Sequence, residues 1–132
     1  MKKKHLLISC AIIILFLLLL VCILKKENNK KISYTVESIK INRLNYNITH
    51  TITDKDKIAS IVELINSATK TNKAINKEVP YIYLITLNDK NSNIYNFYVY
   101  DQNGKYYIKN KNDTIWLSNK KLFTLLESVF LE

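Results

Sequence analysis

Residues 81–108 read YIYLITLNDKNSNIYNFYVYDQNGKYYI, and they decide the fold class. Residues 81–87 and 93–100 are rich in Tyr, Ile and Phe, the composition of pleated, half-buried strands. Asn88 to Ser92 joins them as a polar turn. Asn103-Gly104 is a hairpin signal, because both residues tolerate positive φ. The next strand runs through Lys105, Tyr106, Tyr107 and Ile108. Three consecutive strands with short connections predict an antiparallel sheet.

Reading upstream, Pro80 is placed to open the first of these strands, where its missing N–H does least harm. Residues 69–79 are polar and read as loop. Before them, Ile58, Ile61, Val62, Ile65 and Ala68 recur at helical spacing and form one apolar stripe. Thr53 is the expected cap of that helix, with Asp56 reaching back as in a capping box. From Ile32 to Ile52, β-branched and aromatic residues recur at spacing two. This predicts two strands, a turn near Asn42-Arg43, and a break near Ser38, where the phase Ile32/Tyr34/Val36 gives way to Ile39/Ile41. Downstream, Asn110 to Thr114 reads as loop and Ile115-Trp116-Leu117 as a short segment. Ser118 is the expected cap of a last helix that buries Leu122, Leu125, Leu126 and Val129, with Phe123 and Phe130 alongside. The predicted order is β-β-α-β-β-β-α: an α+β fold, mostly antiparallel, with both helices on one face of the sheet.

Leu6 to Leu24 is a different kind of segment. It holds nineteen residues interrupted only by Ser9, with Lys2, Lys3 and Lys4 before it and Lys25 and Lys26 after it. As a helix it would reach about 28 Å, close to the hydrocarbon thickness of a bilayer. The expected organisation is a cytoplasmic stub over 1–5, a transmembrane anchor over 6–24 contacting membrane lipid, a polar tether over 25–31, and one α+β domain over 32–132. Both cysteines fall inside the apolar run. Lipidation of Cys22 is the alternative anchor, though Val21 precedes it where a small residue is preferred; Cys10 has almost no apolar region before it. No small-x-small cleavage site follows the run. Lysines on both flanks leave the orientation undecided by charge.

The formal charge of +9 is unevenly placed. Residues 1–31 hold seven Lys against one Glu; residues 32–132 hold 13 basic residues against 10 acidic ones. The excess therefore flanks the apolar run, and only one Arg, Arg43, is present. That argues against a nucleic-acid partner, which needs clustered Lys and Arg on the domain itself. Ile (19), Lys (19) and Asn (16) dominate while Gly and Pro occur once each. This is the composition of AT-rich coding DNA, so many Asn and Lys residues carry no functional message.

The chain resembles a family of uncharacterised small membrane-anchored or lipoprotein-like extracytoplasmic domains of low-GC Gram-positive bacteria. The residues carrying the resemblance are Thr51-Ile52-Thr53-Asp54-Lys55-Asp56-Lys57-Ile58, Asp101-Gln102-Asn103-Gly104-Lys105-Tyr106-Tyr107-Ile108 and Leu122-Phe123-Thr124-Leu125-Leu126. They are structural motifs and span roughly residues 37–131. The resemblance implies that the domain lies outside the cytoplasm. The family has no assigned activity, so no catalytic residue is carried over.

Catalytic and cofactor signatures are scarce. Beyond the apolar run His50 stands alone, without a second His or a Cys to complete a metal site or a Cys/His pair. A single Gly excludes a phosphate-cradling loop. Asp89-Lys90-Asn91-Ser92-Asn93 starts like a calcium loop but has Ile94 where Gly is needed and Tyr100 where Glu is needed, so it reads as a polar hairpin turn. Asp54 and Asp56 are explained by the helix start. No cofactor is expected.

Tyrosine is the unusual feature: nine occur, all after residue 31. An exposed sheet face carrying Tyr81, Tyr83, Tyr98 and Tyr100 is the candidate binding surface, since Tyr is large, rigid and amphipathic. The plainer explanation is that Tyr favours strands and has an AT-rich codon. The expected function is a non-catalytic binding or interaction module of the cell envelope, with an envelope protein or peptide as partner. Two alternatives are a membrane-associated immunity or inhibitor protein, and a weak hydrolase using Asp54, Asp56 or Glu63.

Overall fold

The computed structural model describes residues 2–28, 31–32 and 35–132, and in the first helix the side chains of 8–23. The chain divides into two compact units, Met1–Ser33 and Tyr34–Glu132. The first contains helix α1, Lys2–Asn28. Its described side chains, Ile8 to Ile23, are apolar except for Ser9 and the two cysteines, and the large ones are exposed. Cys10 and Cys22 are both free. Among the described residues no helix is long and apolar enough to cross a membrane. The described side chains number sixteen, against the roughly 20 apolar residues a span requires. The structure therefore does not supply the span expected over 6–24, whose ends lie outside the described side chains. The expected stub, the tether and the strand phase Ile32/Tyr34/Val36 also fall partly outside them.

The second unit is α+β. Seven strands form one sheet: β1 Val36–Arg43, β2 Ile48–Ile52, β3 Thr69–Thr71, β4 Tyr83–Asp89, β5 Ile94–Gln102, β6 Lys105–Asn110 and β7 Ile115–Leu117. Their spatial order is β2-β1-β4-β5-β6-β7-β3, and every neighbouring pair is antiparallel. Helices α2 (Lys55–Ser67) and α3 (Lys120–Val129) cover one face, burying Ile58, Ile61 and Ile65 from the first and Leu122, Leu126 and Val129 from the second.

The register sorts the side chains. Ile39 opposes Leu87 and Ile41 opposes Ile85 across β1 and β4; Ile85 opposes Phe97 and Tyr83 opposes Val99 across β4 and β5. Alternate residues share a face, so these seven form one apolar layer against the helices, and all are buried. The break expected near Ser38 is a register shift between Val36 and Ser38.

Several expected boundaries move. Residues 69–79 are not all loop, because Thr69–Thr71 pairs with Ile115–Leu117. Strands of three residues are too short to display a period, so periodicity could not find them. The turn after β1 lies beyond Asn42-Arg43: Leu44–Tyr46 makes one 3-10 turn, closed by Asn47 at φ 48°. The spacing-two pattern Leu44/Tyr46/Ile48 reads as strand, yet Tyr46 points to solvent. Pro80 does not open β4, which begins at Tyr83. The caps sit one residue later than expected. Asp54 accepts from the Lys57 N–H at 2.8 Å, in place of Thr53. Asn119 accepts from the Lys121 N–H at 2.8 Å, in place of Ser118.

The cap assignment is testable by urea unfolding of the full chain. Asp54→Ala lowers stability by about 1 kcal/mol, whereas Thr53→Ala changes it by less than about 0.5 kcal/mol, as at an ordinary surface position. Equal losses at the two positions would contradict the observed cap.

Candidate functional site

The sheet face turned away from the helices carries Tyr98 and Tyr100 on β5 and Tyr107 on β6, with Tyr100 directly opposite Tyr107. The connection 72–82 has to travel from the edge strand β3 back to β4 in the middle of the sheet. It does so on this side, since the Tyr81 ring meets Tyr98 edge-on at 5.2 Å between centroids and Tyr100 at 6.3 Å. The end of the connection is fixed by the Ile82 N–H donating to the Val99 carbonyl at 2.7 Å. Tyr100 and Tyr107 are buried, while Tyr81 and Tyr98 are half-buried. The outer face is therefore partly covered.

Beside this cluster lies a depression of about 250 Å³, lined by Tyr81, Tyr98, Tyr100, Lys109, Asn110, Lys111 and Asp113. Its far wall is the β6–β7 turn. The Asn110 Oδ1 accepts from the N–H groups of Asn112 and Thr114, both at 3.0 Å, which shapes that turn. Lys109 Nζ lies 3.2 Å from Asp113 Oδ1 and 5.8 Å from the Tyr100 ring centroid. The Asp113 hydrogen bond holds the Lys109 ammonium above its ordinary value. A second depression of about 400 Å³ shares Asp113 and adds Lys70, Lys73 and Thr71. Two lysines, Lys109 and Lys111, thus border the tyrosine cluster with one carboxylate, and Asp113 links it to a neighbouring depression lined by Lys70 and Lys73. The sequence did not single out the second depression, because Lys70 and Lys73 are some 40 residues from Asp113 and Thr114, and only the β3–β7 pairing unites them. A larger groove of about 630 Å³ runs between the start of β1 and α2, lined by Val36, Glu37, Lys55, Ile58 and Val62 among others. It carries one charge of each sign and no cluster of functional groups.

Tyr83 does not join the tyrosine cluster. It is fully buried on the helix face, opposite Val99. Two residues on one strand would share a face, but Tyr81 precedes β4 and the bend at Ile82 breaks the alternation. Tyr83 instead belongs to a second polar group. Its hydroxyl donates to Glu127 Oε1, which also lies 3.3 Å from Arg43 Nη2. The Arg43 guanidinium sits 4.6 Å from the Tyr46 ring centroid. His50 meets Phe130 edge-on at 4.8 Å, and Phe130 stacks on Tyr83 at 5.8 Å. This group joins β1, β4 and α3. Burial and the Glu127 hydrogen bond push the Tyr83 hydroxyl well above its ordinary value.

The remaining candidates are scattered. Asp54 caps α2, while Asp56 and Glu63 are exposed. Asp89 Oδ1 accepts from the N–H groups of Asn91 at 2.8 Å and Asn93 at 2.9 Å, and its Oδ2 accepts from the Asn93 side chain at 2.9 Å. These bonds, the Asn93 side chain foremost, hold its carboxyl below the usual range. The calcium-like stretch is thus a hairpin turn stapled by its own first residue. Among the described residues no group of three or more His, Cys, Asp or Glu could hold a metal ion.

The DUF5301 family, described as "Domain of unknown function (DUF5300)", matches residues 22–117. No curated protein and no solved structure matches the chain significantly.

Two titrations follow. The folded value of Asp89 is depressed, so its contribution is present above the unfolded value near 4 and is lost as pH falls below it. Asp89→Ala removes that acid dependence along with the turn staple, and melting temperatures between pH 3 and 7 read it. The folded value of Tyr83 is raised, so its contribution is complete below about pH 10 and is lost as pH rises past it, where the unfolded chain ionises first. Tyr83→Phe flattens the alkaline limb of the stability profile. An unchanged alkaline slope would show that the hydroxyl is not buried against Glu127.

Proposed function

The chain belongs to this family of unknown function, and we propose that its domain is a non-catalytic binding module of the bacterial cell envelope. The observation that carries the reading is the cluster Tyr81, Tyr98 and Tyr100 bordered by Lys109 and Lys111. Aromatic rings that are half-buried offer large rigid contact area at little entropic cost. A cationic border steers and orients a partner of opposite charge. The partner in this reading is an acidic segment of an envelope protein or peptide, lying across the tyrosines with its carboxylates toward the lysines.

Two further points support it. The Asp54 and Asp89 carboxylates are both engaged by backbone N–H groups, which is the work of caps and turns and leaves little for general acid–base chemistry. The nineteen-residue apolar run 6–24 between lysine flanks supports attachment to a membrane, and the resemblance to extracytoplasmic domains supports a place on the outer side.

The test uses the full chain, tagged at its C-terminus, with a photo-cross-linking residue replacing Tyr98. Irradiation of intact, wall-stripped cells should give a discrete adduct that protease added from outside destroys. Lys109→Glu together with Lys111→Glu should reduce the adduct severalfold. The same adduct from a cross-linker at Glu63 on α2, or none at all from position 98, would remove the tyrosine cluster as the contact surface. Protection from external protease would remove the outer location.

A further inference from the structure

β2 reads Ile48-Thr49-His50-Thr51-Ile52, the same in both directions. It is the last strand on its side of the sheet and pairs with β1 alone. One row of its backbone N–H and C=O groups therefore faces away from the sheet. Edge strands in natural proteins are shielded by brevity, lysine, proline or a bulge. The opposite edge obeys this: β3 has three residues with Lys70 at its centre. β2 does not. It has five residues in unbroken register with β1 and contains neither Lys nor Pro. Apolar side chains lie exposed along the same margin, namely Leu44 at 38%, Tyr46 at 62% and Ile48 at 46%.

We propose that β2 pairs antiparallel with β2 of a second copy of this chain, about a two-fold axis through His50. A two-fold axis requires that if residue i faces residue j, then j faces i. The palindrome meets this with like chemistry at every position: Ile48 faces Ile52 of the second copy, Thr49 faces Thr51, and the two His50 residues face each other. A foreign strand would impose no such symmetry on the sequence.

The faces agree as well. Ile52 opposes Ile39 and His50 opposes Ile41 across β1, so Ile48, His50 and Ile52 lie on the helix side and both threonines on the outer side. Pairing through His50 keeps that division across the joint, whereas a one-residue slip would pair apolar residues with threonines and turn the helices of the two copies to opposite faces. Ile48, half-exposed in the single chain, gains Ile52 of the second copy as its neighbour. Thr49 already accepts a hydrogen bond from the Asn42 side chain at 2.9 Å, so its hydroxyl proton is directed away, toward Thr51 of the second copy. Threonine pairs directly opposite one another are among the favourable cross-strand contacts. The product is one continuous sheet with seven strands from each copy.

The experiment uses the full chain in mild detergent micelles, with mass read by sedimentation equilibrium. The wild-type chain should sediment at twice the chain mass. Thr49→Lys with Thr51→Lys, both at exposed positions, should sediment as a monomer that still unfolds in one cooperative transition, at a lower temperature because the dimer no longer stabilises the folded state. Helix α1 is intact in that variant, so association through α1 would survive the lysines, and a persisting dimer overturns the proposal. A wild-type monomer overturns it too. Register is read by disulfide formation in chains carrying Cys10→Ser and Cys22→Ser. A mixture of Thr49→Cys and Thr51→Cys chains should cross-link readily, and either alone much less. Equal cross-linking of the single variants would rule out the axis through His50.

Discussion

β4 is the element on which the domain depends. It lies between β1 and β5 and buries Tyr83, Ile85, Leu87 and Asp89 while leaving the residues between them partly open. Each fully buried Ile or Leu contributes about 1.5–3 kcal/mol relative to exposure. The row is continued by Ile39 and Ile41 on one side and by Phe97, Val99 and Ile108 on the other. Because the period is two, a shift of one residue would carry the whole row to the opposite face. The register of β4 thus decides which side α2 and α3 can cover, and which side is left for Tyr98 and Tyr100.

The core layer ends in polar chemistry. Arg43, Tyr83 and Glu127 meet where β1, β4 and the last turn of α3 converge. Arg43 is the sole arginine of the chain, and a planar fork beside Tyr46 and Glu127 suits it better than a lysine point charge. The turns are handled with equal thrift of residue types. Five described positions have φ in the left-handed region, and Gly104 fills only one; Asn47, Ser92, Asn103 and Asp113 fill the others. Short polar side chains tolerate that conformation better than other L-residues. Some of the asparagines that composition marks as uninformative therefore have a structural duty.

Much of the fold was legible because its main elements are long and periodic. The three central strands, the Asn103-Gly104 hairpin, the apolar stripes of α2 and α3 and the break near Ser38 all rest on local patterns. β3 and β7 escaped because each is three residues long and they gain meaning only from pairing Thr69 with Leu117. Asp54 and Asn119 escaped because adjacent residues of similar capping ability stood at each helix start. The tyrosine surface was legible in part: Tyr98 and Tyr100 follow from alternation on β5. Tyr83 was misplaced because alternation was extended through Ile82, where the chain bends. The second depression was invisible, being assembled from β3 and the β6–β7 turn, which are distant in the chain.

The pairing of β3 with β7 has a kinetic side. β1 and β2 are joined by a short turn and can zip together as soon as both exist, as can β5 with β6. β3 must wait for 115–117, more than forty residues later. Closing so long a loop precedes any reward from the contacts it brings. A chain emerging from its N-terminus therefore has both strands of the β1–β2 hairpin in hand well before the strand that completes the opposite edge exists.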